Sequence, residues 1–343
     1  MSSPIWRFSL SGLVYLPTCV TFLTWLLYMS ITNSWHVFAE QKGWLMSVQS
    51  AVGSFVAGCS PLGGGAVAYP VMVLIIKLVS EEARAFSMMQ QTFGMGCAAW
   101  RICTTTDIDY GDACKLFGLG LVGFQLGYYL LEVPGPFVQT IYFTFTFCVG
   151  VLLQIYADYL SDYLSDDRTK MVQWRLRDTC VAIPTLVLGG ILFSYVGTGI
   201  DVVMYIYFRF FHNVDEVIAT NYSVILAAWM SFYGFFNEGI VMNRITTRQW
   251  HYLLCVIPVV SIFAPVGNFV TNRLLSRKLL KAIIFFLETF QYAAGFAITI
   301  RRDVRLVALS LSLLSGTILS IASHAFIKRC TCTTKTRLEN SAA

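Results

Sequence analysis

"AGCSPLGGGAVAYP" occupies residues 57–70, in the middle of an apolar run, Trp44 to Val79, long enough to lie in a bilayer. Pro61 and three consecutive glycines, Gly63, Gly64 and Gly65, interrupt it. Glycine costs roughly 1 kcal/mol and proline roughly 3 kcal/mol against alanine inside a helix. The stretch therefore predicts a helix broken at membrane depth. Unpaired backbone groups in lipid cost several kcal/mol each, so such a break survives only where protein or a water-filled cavity surrounds it.

The whole chain fits that setting. It has 343 residues, 56% hydrophobic and 13% charged, about half the charged fraction of a soluble domain. The reading is an all-α polytopic membrane protein. The net charge of +5 comes from short clusters between apolar runs, which set orientation and do not point to nucleic acid. The ten cysteines are scattered and form no metal or disulfide pattern. Cys330 and Cys332, in "KRCTCTTK" after the last apolar run, are candidates for palmitoylation. No metalloprotease motif, phosphate loop, histidine cluster or pair of intramembrane aspartates is present. An enzyme is therefore not expected, nor a cofactor or a metal.

About eight full spans are predicted, near 13–31, 83–103, 111–131, 136–158, 215–236, 248–271, 278–299 and 303–327. Two further regions, 43–79 and 179–212, are too long for one helix, and glycine breaks each near its middle. The breaks are related. Residues 63–87 align without a gap on 197–221, matching Gly63 with Gly197, Gly65 with Gly199, Glu82 with Glu216 and Ala85 with Ala219. A second echo pairs "GFQLGYYL" (123–130) with "APVGNFVT" (264–271). If each broken region is a hairpin and the N-terminus is cytoplasmic, 16 of the 24 Lys and Arg fall inside; single crossings would split them 12 to 12. The positive-inside rule favours hairpins, which makes the two repeats opposite in orientation.

The organisation expected is an N-terminal helix (1–42), repeat 1 (43–158), a cytoplasmic linker (159–178), repeat 2 (179–299), and a last helix with a cytoplasmic tail (300–343). The linker lies in the only long polar stretch, "DYLSDYLSDDRTKMVQWRLRD" at 158–178.

A helix that starts after a break exposes backbone N–H groups and the positive end of its dipole, which suit an anion. Glycine lets the ligand approach without a Cβ in the way. Two facing breaks at the midplane are the layout expected of a carrier of small anions. Candidate substrate-binding residues are Ser60, Gly63, Gly64, Gly65, Ser87, Gln91, Gly197, Thr198, Gly199, Asn221 and Ser223. The side-chain donors among them are neutral, so no fixed positive charge traps the anion. Gly118, Gly120, Gly123 and Gly127, on an unbroken span, read as close-packing positions. Asp201, two residues after Gly199, is an intramembrane carboxylate. It is either a helix cap or a proton-coupling residue that takes up a proton as an anion binds. Glu288 is a weaker candidate, read as an interhelical hydrogen bonder.

The stretch "GSFVAGCSPLGGGAVAYPVMVLI" (53–75) resembles the first signature of the TauE/SafE sulfite exporter family, with Gly58, Gly63, Gly64, Gly65 and Pro70 in its pattern. "LGGILFSYVGTGID" (188–201) resembles the second copy, with Thr198 in place of a glycine and Met204 where a proline would stand. "APVGNFVTNRLLSRKLLKAI" (264–283) resembles the family's segment downstream of that second copy. The resemblance implies export or exchange of small sulfur-containing anions, such as sulfite or sulfonates, across the plasma membrane. An anion channel, or a carrier of another small organic anion, is the alternative. The partners implied are that small anion and the lipid bilayer.

Overall fold

The computed structural model describes residues 13–39, 42–60, 68–69, 71–130, 137, 140–145, 147–148, 176–212, 214–274, 277–300, 305–316 and 318. Gly63, Gly64, Gly65, Pro61 and Pro70, most of the span expected at 136–158, nearly all of the linker, Cys330 and Cys332 lie outside them, as does the side chain of Glu288.

The described residues are helical and hold no strand. The helices are α1 (Leu16–Thr32), α2 (Gly43–Cys59), α3 (Ser80–Thr105), α4 (Tyr110–Gln125), α5 (Leu176–Val196), α6 (Ile200–Ile206), α7 (Glu216–Phe236), α8 (Thr247–Arg273), α9 (Arg277–Ile300) and α10 (Arg305–Gly316). Local chemistry sets several starts. Asp109 caps α4 by accepting from the Asp112 amide at 3.1 Å. Asp215 caps α7 by accepting from the Val217 amide at 3.0 Å. Thr246 and Gln249 form a reciprocal capping box at the start of α8. Glu81 and Glu82 sit in the first turn of α3, where the helix dipole favours negative charge.

Three of these helices are long and apolar enough to cross a membrane: Thr179–Val196, Glu216–Val241 and Thr247–Arg273. Large apolar side chains such as Leu23, Ile31, Phe232 and Ile240 face outward, where a soluble protein would place polar groups. The protein is an integral membrane protein. The span expected at 83–103 does form a helix, α3, but Glu81, Glu82, Arg84, Gln90, Gln91 and Arg101 make it polar. It lies in the interior, packed on α7 and α8, so lipid does not dictate its composition.

The first broken region leaves and returns at one end. Lys42, just before α2, and Ile76, at the close of a π turn (Met72–Ile76), line the same cavity with Arg248 and Tyr252. The second also turns back, because Gly189 of α5 lies against Ile200 and Val203 of α6. It too ends in a π turn, Tyr207–Phe211.

Helix directions are set by the contacts. α2 and α8 run together: Ser47 donates to the Cys255 carbonyl at 2.8 Å near their starts, and Thr271 donates to the Cys59 carbonyl at 3.0 Å near their ends. α3 and α7 run oppositely, since Arg84 near the start of α3 meets Glu238, just past the end of α7, at 2.5 Å. α4 and α7 start at the same end, where the Asp109 amide donates to the Tyr222 hydroxyl at 3.0 Å. α5 runs with α4, with Val187 against Gly123 and both Ile191 and Ser194 against Gly127. The two hairpins therefore open at opposite ends of the bundle.

One packing arrangement occurs twice. A Cβ on Gly58 would come 2.0 Å from the Ala264 carbonyl and 2.9 Å from the Asn268 amide nitrogen. A Cβ on Gly190 would come 2.0 Å from the Gly120 carbonyl and 2.7 Å from the Phe124 amide nitrogen. Likewise, a Cβ on Gly267 would come 2.2 Å from the Phe55 carbonyl, and one on Gly123 2.1 Å from the Val187 carbonyl. In these contacts Gly123 corresponds to Gly267, three positions along from the pairing the sequence echo suggests. Gly120, Gly123 and Gly127 are close-packed as expected, but Gly118 is not: a Cβ there meets nothing within 4 Å.

Candidate functional site

The second break is built by two glycines in backbone conformations that L side chains rarely adopt, Gly197 at φ +76° and Gly199 at φ +128°. A Cβ on Gly197 would come 2.8 Å from the Arg84 carbonyl, and one on Gly199 3.0 Å from the Tyr142 ring. The break is thus pressed onto α3. There the Gln91 carboxamide donates to the Gly197 carbonyl at 2.9 Å and to the Ser87 hydroxyl at 2.7 Å. Ser87 donates to the same carbonyl at 3.4 Å. From α7, Ser231 donates to Gln91 Oε1 at 3.3 Å. A carbonyl freed by the break is satisfied by side chains one helical turn apart, as buried backbone must be.

Asp201 is 1% exposed and folds back on its own loop. Its Oδ1 accepts from the amides of Gly199 (2.8 Å) and Val202 (3.0 Å), and Thr198 Oγ1 lies 3.3 and 3.2 Å from its two carboxyl oxygens. A carboxylate of the chain itself occupies the amides that a bound anion would use. The carboxylate thus answers free amides at the start of α6, whose N-cap, Gly199, has no side chain to do so.

The hydrogen bonds of the other expected residues run to other partners. Ser60 ends α2 and donates to the Val56 carbonyl at 3.0 Å. Asn221 accepts from Asn268 Nδ2 at 3.2 Å. Ser223 donates to the Thr220 carbonyl at 2.8 Å, within its own helix.

Several polar residues here are not singled out by the sequence. Gln49, Ser50 and Gln90 form a buried chain, with Gln49 donating to Ser50 at 3.0 Å and Ser50 to Gln90 at 2.9 Å. Gln90 and Gln91 line a cavity of about 10 Å³ with Ser54, Ala57, Gly94 and Ala264, room for about one water. Polar residues on apolar helices are the available signal for these. At the end of the bundle where the first hairpin opens, Lys42 and Arg248 border a cavity of about 420 Å³. Arg84 is ion-paired to Glu238 at 2.5 Å, donates to the Ser194 carbonyl at 3.0 Å, and stacks 5.3 Å from the Tyr128 ring. Arg101 is buried beside Asn268, whereas by sequence it counts only toward orientation. Among the described residues, no group of His, Cys, Asp and Glu is arranged to hold a metal.

A family model described as "Sulfite exporter TauE/SafE" matches residues 46–290. That range contains the second hairpin, α3, α4, α7 and α8, and all of the first hairpin but the first three residues of α2. No curated protein and no solved structure matches the chain.

Proposed function

For a chain that belongs to the sulfite exporter TauE/SafE family, we propose a secondary transporter, exporter or exchanger, of small sulfur-containing anions such as sulfite or sulfonates. The observation that carries this reading is the second break. There glycine backbone, Thr198, Ser87 and Gln91 gather in the interior of a bundle whose outer surface is apolar. Polar groups inside a membrane protein are costly and mark a pathway more often than a packing need.

Two inverted repeats, 43–158 and 179–299, supply the framework of this reading. The doubled glycine contacts of Gly58 with Gly190 and Gly267 with Gly123, and the hairpins opening at opposite ends, support it. Rocking one repeat against the other would expose the interior to each side in turn. The N- and C-termini and the 159–178 linker are placed in the cytoplasm, and the plasma membrane is the proposed location. The Lys42–Arg248 cavity then opens outward.

Asp201 acts in this scheme as a fixed cap that shapes the break, and coupling to a proton is the alternative role for it. The experiment is a flux panel in proteoliposomes with sulfite, sulfate, thiosulfate, sulfoacetate and chloride. Saturable sulfite or sulfonate flux that excludes chloride is expected. A conductance far above carrier turnover in a planar bilayer would replace the carrier with a channel.

A further inference from the structure

We infer that Arg101 is the fixed positive charge of an oxyanion-binding site at the end of the bundle opposite the Lys42–Arg248 cavity. α3 carries two arginines inside the protein, and they are treated differently. Arg84 is neutralised by Glu238 at 2.5 Å. Arg101 is 5% exposed, and among the described residues no carboxylate lies within ion-pair distance of it. Its guanidinium donates to Asn268 Oδ1 and lies 5.3 Å from the Phe269 ring, while its Nε has no partner among the described residues.

An unpaired buried charge is expensive, as the strong destabilisation on removing one partner of a buried pair shows. A protein that retains one has a use for the charge, and the chemistry that would complete it is an anion. Guanidinium is the group suited to this, since its planar fork donates two parallel hydrogen bonds to an oxyanion.

The neighbours hold the arginine without neutralising it. Asn268 Oδ1 also accepts from Asn272 Nδ2 at 3.0 Å, and Asn268 Nδ2 donates to Asn221 Oδ1 at 3.2 Å. Asn268 is thereby fixed with its oxygen toward Arg101. An aspartate there would keep an oxygen toward Arg101 and cancel the charge, but would lose the bond donated to Asn221; the chain uses the amide. The same turn of α8 holds the end of α2: Gly58 packs on the Asn268 amide, Cys59 Sγ donates to the Gly267 carbonyl at 3.3 Å, and Thr271 donates to the Cys59 carbonyl at 3.0 Å. Arg101 therefore stands against the turn of α8 that receives α2 just before the glycine triplet. This inference rests on the proposed function and adds to it a charged anion site distinct from the neutral groups of the second break.

The test is equilibrium binding of radiolabelled sulfite to the purified full-length protein, with wild type, Arg101→Gln, Arg101→Lys and Asn268→Asp compared. Each is checked for a single species in size-exclusion chromatography. A hydrogen bond to a charged group contributes about 1.5–3 kcal/mol, so Arg101→Gln should weaken sulfite binding about tenfold or more. Arg101→Lys should weaken it less, because the charge remains while the fork is lost. Asn268→Asp should weaken it like Arg101→Gln, because the added carboxylate pairs with the guanidinium. It stays informative if Arg101→Gln does not fold. Wild-type affinity in Asn268→Asp or Arg101→Gln would overturn the inference and leave the transporter reading in place. Absence of binding by wild type to sulfite, sulfate, thiosulfate and sulfoacetate alike would remove both.

Discussion

The Gln91 carboxamide donates to the Gly197 carbonyl at 2.9 Å, across 106 positions of sequence, and so ties the middle of α3 to the second break. One glutamine satisfies a carbonyl that the break leaves without a helical partner, and the same group faces the small interior cavity. Gln91→Leu should therefore affect both the break and the cavity. Loss of its bonds to Gly197 and Ser87 leaves buried acceptors short of donors, at about 1–3 kcal/mol each. A fall of several degrees in melting temperature and a loss of sulfite flux in proteoliposomes are expected. A variant with wild-type flux would show that the break does not depend on this tie.

Gly197 and Gly199 are irreplaceable for different local reasons with the same outcome. Both have positive φ, and added side chains would strike the Arg84 carbonyl in one case and the Tyr142 ring in the other. Left-handed geometry costs a non-glycine residue roughly 1–2 kcal/mol before any clash. Gly199→Leu should abolish transport while the protein still reaches the membrane. Gly64→Leu, in the first break, should do the same. Normal flux in either variant, measured against membrane abundance, would place the anion site elsewhere.

Asp201→Asn separates a cap from a proton carrier. Asparagine is itself a good cap, and its Oδ1 can accept from the Gly199 and Val202 amides as the carboxylate does. Tracer flux in Asp201→Asn should respond to an imposed pH gradient as wild type does. Asp201→Ala should lose about 0.5–2 kcal/mol of stability with its cap. If the asparagine variant exchanges anion but ignores the gradient, Asp201 carries the proton.

The doubled glycine contacts predict a graded packing series. Gly58→Ala and Gly190→Ala each place a methyl 2.0 Å from a backbone carbonyl, so α2 must part from α8, or α5 from α4. Overpacking of this kind costs about 1–3 kcal/mol. Gly96→Ala and Gly118→Ala meet nothing within 4 Å and should be neutral or stabilising by up to about 1 kcal/mol through helix propensity. Melting temperatures of the four variants in one detergent give the comparison; equal values for the two pairs would refute the packing reading.

The fold is legible where local chemistry encodes it. Apolar runs of about 20 residues fix the helices because a bilayer leaves the backbone no other partner. The glycines at 197 and 199 mark a break because no other residue adopts their φ without strain. Asp109, Asp215 and Thr246 mark helix starts by capping. The family signature is readable for the same reason, since it is made of such residues at fixed spacing. Long-range partners are not legible. Composition makes Arg84 and Arg101 look alike, and only packing assigns Glu238 to one and Asn268 to the other, across 154 and 167 positions. Asn221 aligns with Ser87 in the repeat, yet its side chain bonds Asn268. By sequence Asp201 has two possible roles, and the turn of its own loop gives the carboxylate its donors. Sequence determines which segments must bury themselves and where they must bend, because those costs arise residue by residue. Which polar group answers which is decided when helices distant in sequence pack, because a hydrogen bond or an ion pair depends on a distance of a few ångströms that no local pattern sets.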